Sequence, residues 1–99
     1  MERSISMEEF YDLTQKQQLN IFDIRENKDY QQGHIPMAQN WPLSNLDIAE
    51  QQLTKDQKYY LICQTGKRSA MAQEYLAGQG FNVTSVAGGT TAWPGELSK

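Results

Sequence analysis

The sequence predicts an α/β domain built on a largely parallel sheet, and three observations predict it. Short apolar, β-rich runs alternate with stretches of helical character along the 99 residues, the order that gives a helix-covered sheet. The two strongest runs, Leu19–Ile24 (LNIFDI) and Tyr59–Ile62, are mostly apolar, as strands buried on both faces must be. No internal repeat and no linker interrupts the pattern, so residues 1–99 read as one domain, a length that buries a core without staples.

Taken in order, Ser6-Met7-Glu8-Glu9 has the S-x-x-E form of a capping box and starts a helix near Met7 that runs to about Gln17, with Phe10 and Leu13 on its apolar side. Leu19–Ile24 is the first strand. Glu26–Gln32 is polar, with room for a helical turn before Gly33. Pro36 and Pro42 bracket a brief extended piece, Ala38–Asn40. Asn45–Leu53 reads as a helix that turns Leu46, Ile48, Ala49 and Leu53 inward. Tyr59–Ile62 is the second strong strand, and Ser69–Ala77 a helix that stops at Gly78 or Gly80. Phe81–Val86 is a third strand, Gly88-Gly89 a tight turn and Thr90–Trp93 a last short helix.

Composition narrows the function. A net charge of −3 gives no general attraction to nucleic acid or anionic lipid. Residues 1–20 hold no stretch resembling a signal peptide, and no apolar run is long enough to span a membrane. The single cysteine excludes an intramolecular disulfide and fits a reducing compartment, so a cytoplasmic location is expected. One cysteine, one histidine and scattered carboxylates offer no metal-ligand spacing; neither metal nor cofactor is expected. The glutamines are scattered as solvated surface.

That cysteine carries the chemistry. Cys63 ends an apolar run and opens Cys63-Gln64-Thr65-Gly66-Lys67-Arg68, a strand-to-helix loop at the carboxyl edge of the sheet, where open α/β sheets bind ligands. A helix starting at Ser69 turns free N–H groups and the positive end of its dipole toward this loop, and Gly66 permits a nest of inward N–H groups. Lys67-Arg68 is the one adjacent basic pair, and no acid lies between Asp56 and Glu74. A free thiol titrates at about 8.5, and such surroundings bring it to roughly 3.5–7.5. Cys63 is therefore expected to be largely thiolate at neutral pH, with the cations contributing. The competing reading, a buried filler beside a solvated cation pair, leaves glycine, cations and setting unconnected.

Other residues are weighed the same way. His34, in Gly33-His34-Ile35-Pro36, suggests a Cys–His dyad, but a histidine bonded to backbone is favoured. Asp23 is assigned a structural ion pair and Arg25 is left open. Trp41 and Trp93 are assigned to packing.

Four segments, in this order and spacing, resemble the single-domain rhodaneses, the thiosulfate sulfurtransferase family, over nearly the whole length. They are Asp23-Ile24-Arg25-Glu26 (D-x-R-E), Tyr30–Pro36 (Y-x-x-G-H-I-P, continued by Ala38, Asn40 and Pro42), Cys63–Ser69 (C-x-x-G-x-R-S) and Gly88-Gly89 with Ala92-Trp93 (G-G-x-x-A-W). Met37 departs from the pattern, standing where the family usually has glycine. The resemblance implies a rhodanese-like three-layer fold with a five-stranded, mainly parallel sheet flanked by helices. It also implies that Cys63 carries sulfur as a persulfide. The loop N–H groups from Gln64 through Thr65, Gly66, Lys67 and Arg68 to Ser69 would hold the persulfide, with Lys67 and Arg68 attracting a small anionic donor such as thiosulfate. The acceptor would be cyanide, a thiol or a protein. Two rivals stand beside it. One is a cysteine phosphatase or arsenate reductase, whose loops place five residues between cysteine and arginine where this chain has four, Gln64–Lys67. The other is a catalytically idle rhodanese-like module used for protein contacts, although such modules often lack the cysteine.

Overall fold

Strand β4 (Lys58–Ile62) is the middle of a five-stranded sheet in the computed structural model, which describes residues 3–45, 51 and 53–99. The remaining elements are β1 (Ser4–Ile5), α1 (Met7–Lys16), β2 (Asn20–Asp23), α2 (Asn27–Gln32), β3 (Gln39–Asn40), α3 (Lys67–Gly78) and β5 (Asn82–Val86). Short 3-10 turns add Leu43–Asn45 and Gly89–Ala92. The strand order is β1-β5-β4-β2-β3 and all four pairings are parallel. Asn20 faces Tyr59 and Asp23 faces Ile62 on one side of β4, while Lys58 faces Asn82 on the other.

The central strands are apolar on consecutive positions because both faces are covered. Tyr59, Leu61 and Cys63 pack with Phe22, Ala72, Leu76 and Val83, on the side of α3. Tyr60 and Ile62 pack with Phe10, Ile21, Ile35 and Val86, on the side of α1. The sheet is therefore the middle of three layers. Burying each large side chain in either core contributes about 1.5–3 kcal/mol.

The expected elements recur with small shifts. Ser6 caps α1 by accepting the Glu9 N–H at 3.1 Å, an interaction worth about 1 kcal/mol, and the helix stops at Lys16 with Gln17 as its cap. The polar stretch before Gly33 is α2. The extended piece shortens to Gln39–Asn40, and the third strand begins at Asn82. The last short helix is the 3-10 turn Gly89–Ala92, with Trp93 as its cap. The Asn45–Leu53 helix falls largely outside the described residues, although Leu53 is buried against the α3-side core. One shift changes the site: α3 begins at Lys67, two residues before the expected Ser69. Gly66, at φ 101°, turns the chain directly into the helix, so Lys67 and Arg68 belong to its first turn and the loop is shorter. Strand β1 was not expected, since two residues carry no readable period.

Met37 is the one described non-glycine residue with positive φ, at 76°, and its side chain is 40% exposed. A left-handed conformation costs an L-residue roughly 1–2 kcal/mol, of which glycine's extra chain entropy in the unfolded state returns about half. Met37→Gly is expected to stabilise the protein by up to about 1 kcal/mol, raising the melting temperature by about 4–8 °C. An unchanged or lower melting temperature would refute strain at this position.

Candidate active site

Cys63 is the first residue past β4, and its position is set by that strand. Its side chain points to the α3 side, toward the helix's first turn, and is 2% exposed. Backbone N–H groups converge on the sulfur, two of them within hydrogen-bond distance. That of Gly66 donates to Sγ at 3.0 Å and that of Ser69 at 3.4 Å, with the Ser69 hydroxyl 3.6 Å away. Gly66 and the turn into α3 make this possible, because a left-handed residue followed by helix aims successive N–H groups inward. Ser69 is fully buried, and its Oγ also donates to Gly66 O at 3.1 Å and lies 2.9 Å from Ser85 Oγ on β5.

A second segment clamps the backbone of the same loop. Thr90 donates both its N–H (2.8 Å) and its hydroxyl (3.2 Å) to Cys63 O, and the Thr91 N–H donates to Gln64 O at 3.2 Å. Gly89 sits so close beneath that a Cβ there would lie 2.3 Å from Cys63 O. The Gly88-Gly89 pair was readable as a turn; its closeness to the cysteine was not, because that contact spans more than twenty residues of sequence.

Gln64 is held by Arg25, whose Nη1 donates to Gln64 Oε1 at 3.1 Å. Arg25 is 6% exposed, donates to Gly33 O at 2.8 Å, and pairs with the fully buried Asp23 at 2.8 Å. Asp23 thus has the structural role expected of it. Arg25, left open by the sequence, ties the end of β2 to the cysteine loop. Arg68 and Gln64 border a cleft of about 610 Å³ together with Arg25, Thr90, Thr91 and Trp93. Lys67 and Thr65 are exposed and do not line it. Trp93 packs edge-on against Phe10 and Tyr11, and Trp41 stacks on Phe22, as expected of packing residues. His34 stacks on Tyr30 and its Nδ1 lies 2.9 Å from Tyr30 O, while its backbone bridges to Ser98. None of these contacts joins it to Cys63.

Burial pushes the Cys63 thiol up more strongly than any other single influence. The Ser69 hydroxyl and the backbone N–H groups of Ser69, Gly66 and Arg68 pull it down, and together they prevail, so its pKa lies below the ordinary value. The expected contribution of the Lys67 and Arg68 charges is not among these influences. Both side chains stand in water, where their charge is screened, and Arg68 acts through its backbone. Since thiolate forms as pH rises through the pKa, Ser69→Ala, which removes a downward pull, should shift the pH profile of Cys63 alkylation to higher pH. Lys67→Ala with Arg68→Ala should leave it nearly in place. The reverse ranking would return the effect to the cations.

The family model described as rhodanese-like domain matches residues 6–96. The chain is 39% identical over 100 residues to the thiosulfate sulfurtransferase GlpE of Pseudoalteromonas translucida, covering 98% of this chain and 93% of that protein. Its fold superposes on the SSP1007 protein of Staphylococcus saprophyticus with a TM-score of 0.90 at 29% identity, covering 98% and 99% of the two chains. A rhodanese-related protein of Thermoplasma volcanium gives 0.83 at 35% identity, covering 92% and 89%.

Proposed function

This chain belongs to the rhodanese-like domain family, and from that premise we propose that it is a sulfurtransferase carrying sulfane sulfur on Cys63. The observation that carries the reading is the convergence of the Gly66 and Ser69 N–H groups on Cys63 Sγ, where they favour an anionic sulfur. In the first step the thiolate attacks the outer sulfur of thiosulfate. The new bond is Cys63 Sγ–S, the sulfur–sulfur bond of the donor breaks, and sulfite leaves with the electron pair. In the second step an acceptor such as cyanide attacks the terminal sulfur, giving thiocyanate and restoring the thiolate. Covalent transfer of this kind is ping-pong.

Thiosulfate is the first donor to try, because a relative 39% identical to this chain is named for it. Arg68, at the border of the cleft, is assigned the donor's anionic end; Lys67, outside it, would act only at longer range. Small-molecule and protein persulfides are alternative donors, and thiols are alternative acceptors. The test is intact mass after incubation with thiosulfate, followed by cyanide. A gain of one sulfur atom that cyanide removes is expected. An unchanged mass, with Cys63-dependent hydrolysis of aryl phosphates, would overturn the reading in favour of a phosphatase. An unchanged mass with every donor class and no hydrolysis would leave the idle binding module.

A further inference from the structure

We propose that Ser85, on β5 and outside the cysteine loop, is a positioning residue that orients the Ser69 hydroxyl toward the Cys63 sulfur when that sulfur is ionised. Ser69 Oγ has three polar neighbours: Gly66 O at 3.1 Å, Cys63 Sγ at 3.6 Å and Ser85 Oγ at 2.9 Å. Its hydroxyl has one hydrogen to give. Gly66 O can only accept, so it competes with the sulfur for that hydrogen. Ser85 is 2% exposed, and among the described residues its hydroxyl makes one hydrogen bond, to Ser69 Oγ.

The direction of that bond depends on the charge of Cys63. A thiol can donate its hydrogen to Ser69 Oγ, leaving the Ser69 hydrogen to Gly66 O or Ser85. A thiolate can only accept. The Ser69 hydrogen then turns to the sulfur, and Ser85 fills the vacated role by donating to Ser69 Oγ. The order Ser85 to Ser69 to sulfur is a chain of buried groups in which each bond polarises the next. In the persulfide the charge lies one atom further out, and Ser69 is free to return to Gly66 O. Ser85 therefore favours the resting thiolate over both the thiol and the loaded form. It touches neither sulfur nor substrate and acts only through Ser69.

The inference rests on the part of the proposed function that makes Cys63 an ionised nucleophile, and its test needs no sulfur donor. The chain has a single cysteine, so ultraviolet thiolate absorbance, followed below the range of about pH 10 where its tyrosines ionise, reports Cys63 alone. Ser85→Ala is expected to raise the Cys63 pKa by about half a unit, lowering the thiolate fraction about threefold on the acid side and leaving it unchanged at alkaline pH. Ser85→Thr, which keeps the hydroxyl, should titrate like the unsubstituted protein. In a Ser69→Ala background Ser85→Ala should add no further shift, since the relay is already broken. An unmoved titration in folded Ser85→Ala, a Thr variant shifted as far as the Ala variant, or an additive shift in the Ser69→Ala background would each overturn the proposal. A protein that titrates as expected but takes up no sulfur from any donor would leave the Ser85 relay standing and remove the sulfurtransferase reading instead.

Discussion

Cys63→Ser is expected to lower thiosulfate:cyanide sulfur transfer by on the order of a thousandfold or more, while the protein stays folded. The loss is large because no other thiol exists in the chain to take the sulfur, and removing a covalent nucleophile removes the pathway rather than weakening it. The fold survives for a local reason. Serine places an oxygen where the Gly66 and Ser69 N–H groups already point, so a buried polar atom gains donors instead of being orphaned. Thiocyanate production measured beside a circular dichroism melt checks both halves. Substantial turnover by a folded serine variant would sink the persulfide mechanism.

Gly89→Ala should be the most damaging single methyl group near the site. The added Cβ would lie 2.3 Å from Cys63 O and 2.8 Å from Gln64 C and O, all backbone atoms that cannot swing aside. At φ 57° the residue is also in the left-handed region, which costs alanine roughly 1–2 kcal/mol before any clash is counted. With a further 1–3 kcal/mol for overpacking, a destabilisation of about 3 kcal/mol is expected. What relaxes first should be the Thr90 and Thr91 bonds to the cysteine loop, so activity should fall more than global unfolding accounts for. Gly78 supplies the control, since a Cβ there meets nothing within 4 Å. A Gly89→Ala protein as stable and active as Gly78→Ala would refute the clamp.

Much of this was legible in the chain because it is encoded locally. The capping box at Ser6, the apolar runs of β2 and β4 and the glycine at the head of α3 each announce themselves within a few residues. The cysteine loop was legible for the same reason: strand, glycine and first helical turn are contiguous. What was missed depends on long separations. Arg25 meets Gln64 across 39 positions, Thr90 meets Cys63 across 27, and Ser69 meets Ser85 across 16. No spacing rule marks such pairs, and Ser85 is one of three polar residues in β5 (NVTSV), with nothing local to single it out. The charges of Lys67 and Arg68 mislead in a different way. Sequence shows charge but not whether water stands around it, and here the groups that lower the Cys63 pKa are the Ser69 hydroxyl and backbone N–H groups, the latter present in every sequence and displayed by none.

The alternation along β4 gives the cysteine a parity. Tyr59, Leu61 and Cys63 face α3, and Tyr60 and Ile62 face α1, so the same two-residue rhythm that sorts tyrosine and leucine between two cores also decides which side the thiol is on. An insertion of one residue in β4 would carry the sulfur to the opposite side of the sheet, away from Gly66 and Ser69, even if the inserted strand were just as apolar. An insertion of two would restore its side. Chemistry at the strand's end is thus phased by an odd-or-even count that begins four residues earlier, at the first buried tyrosine.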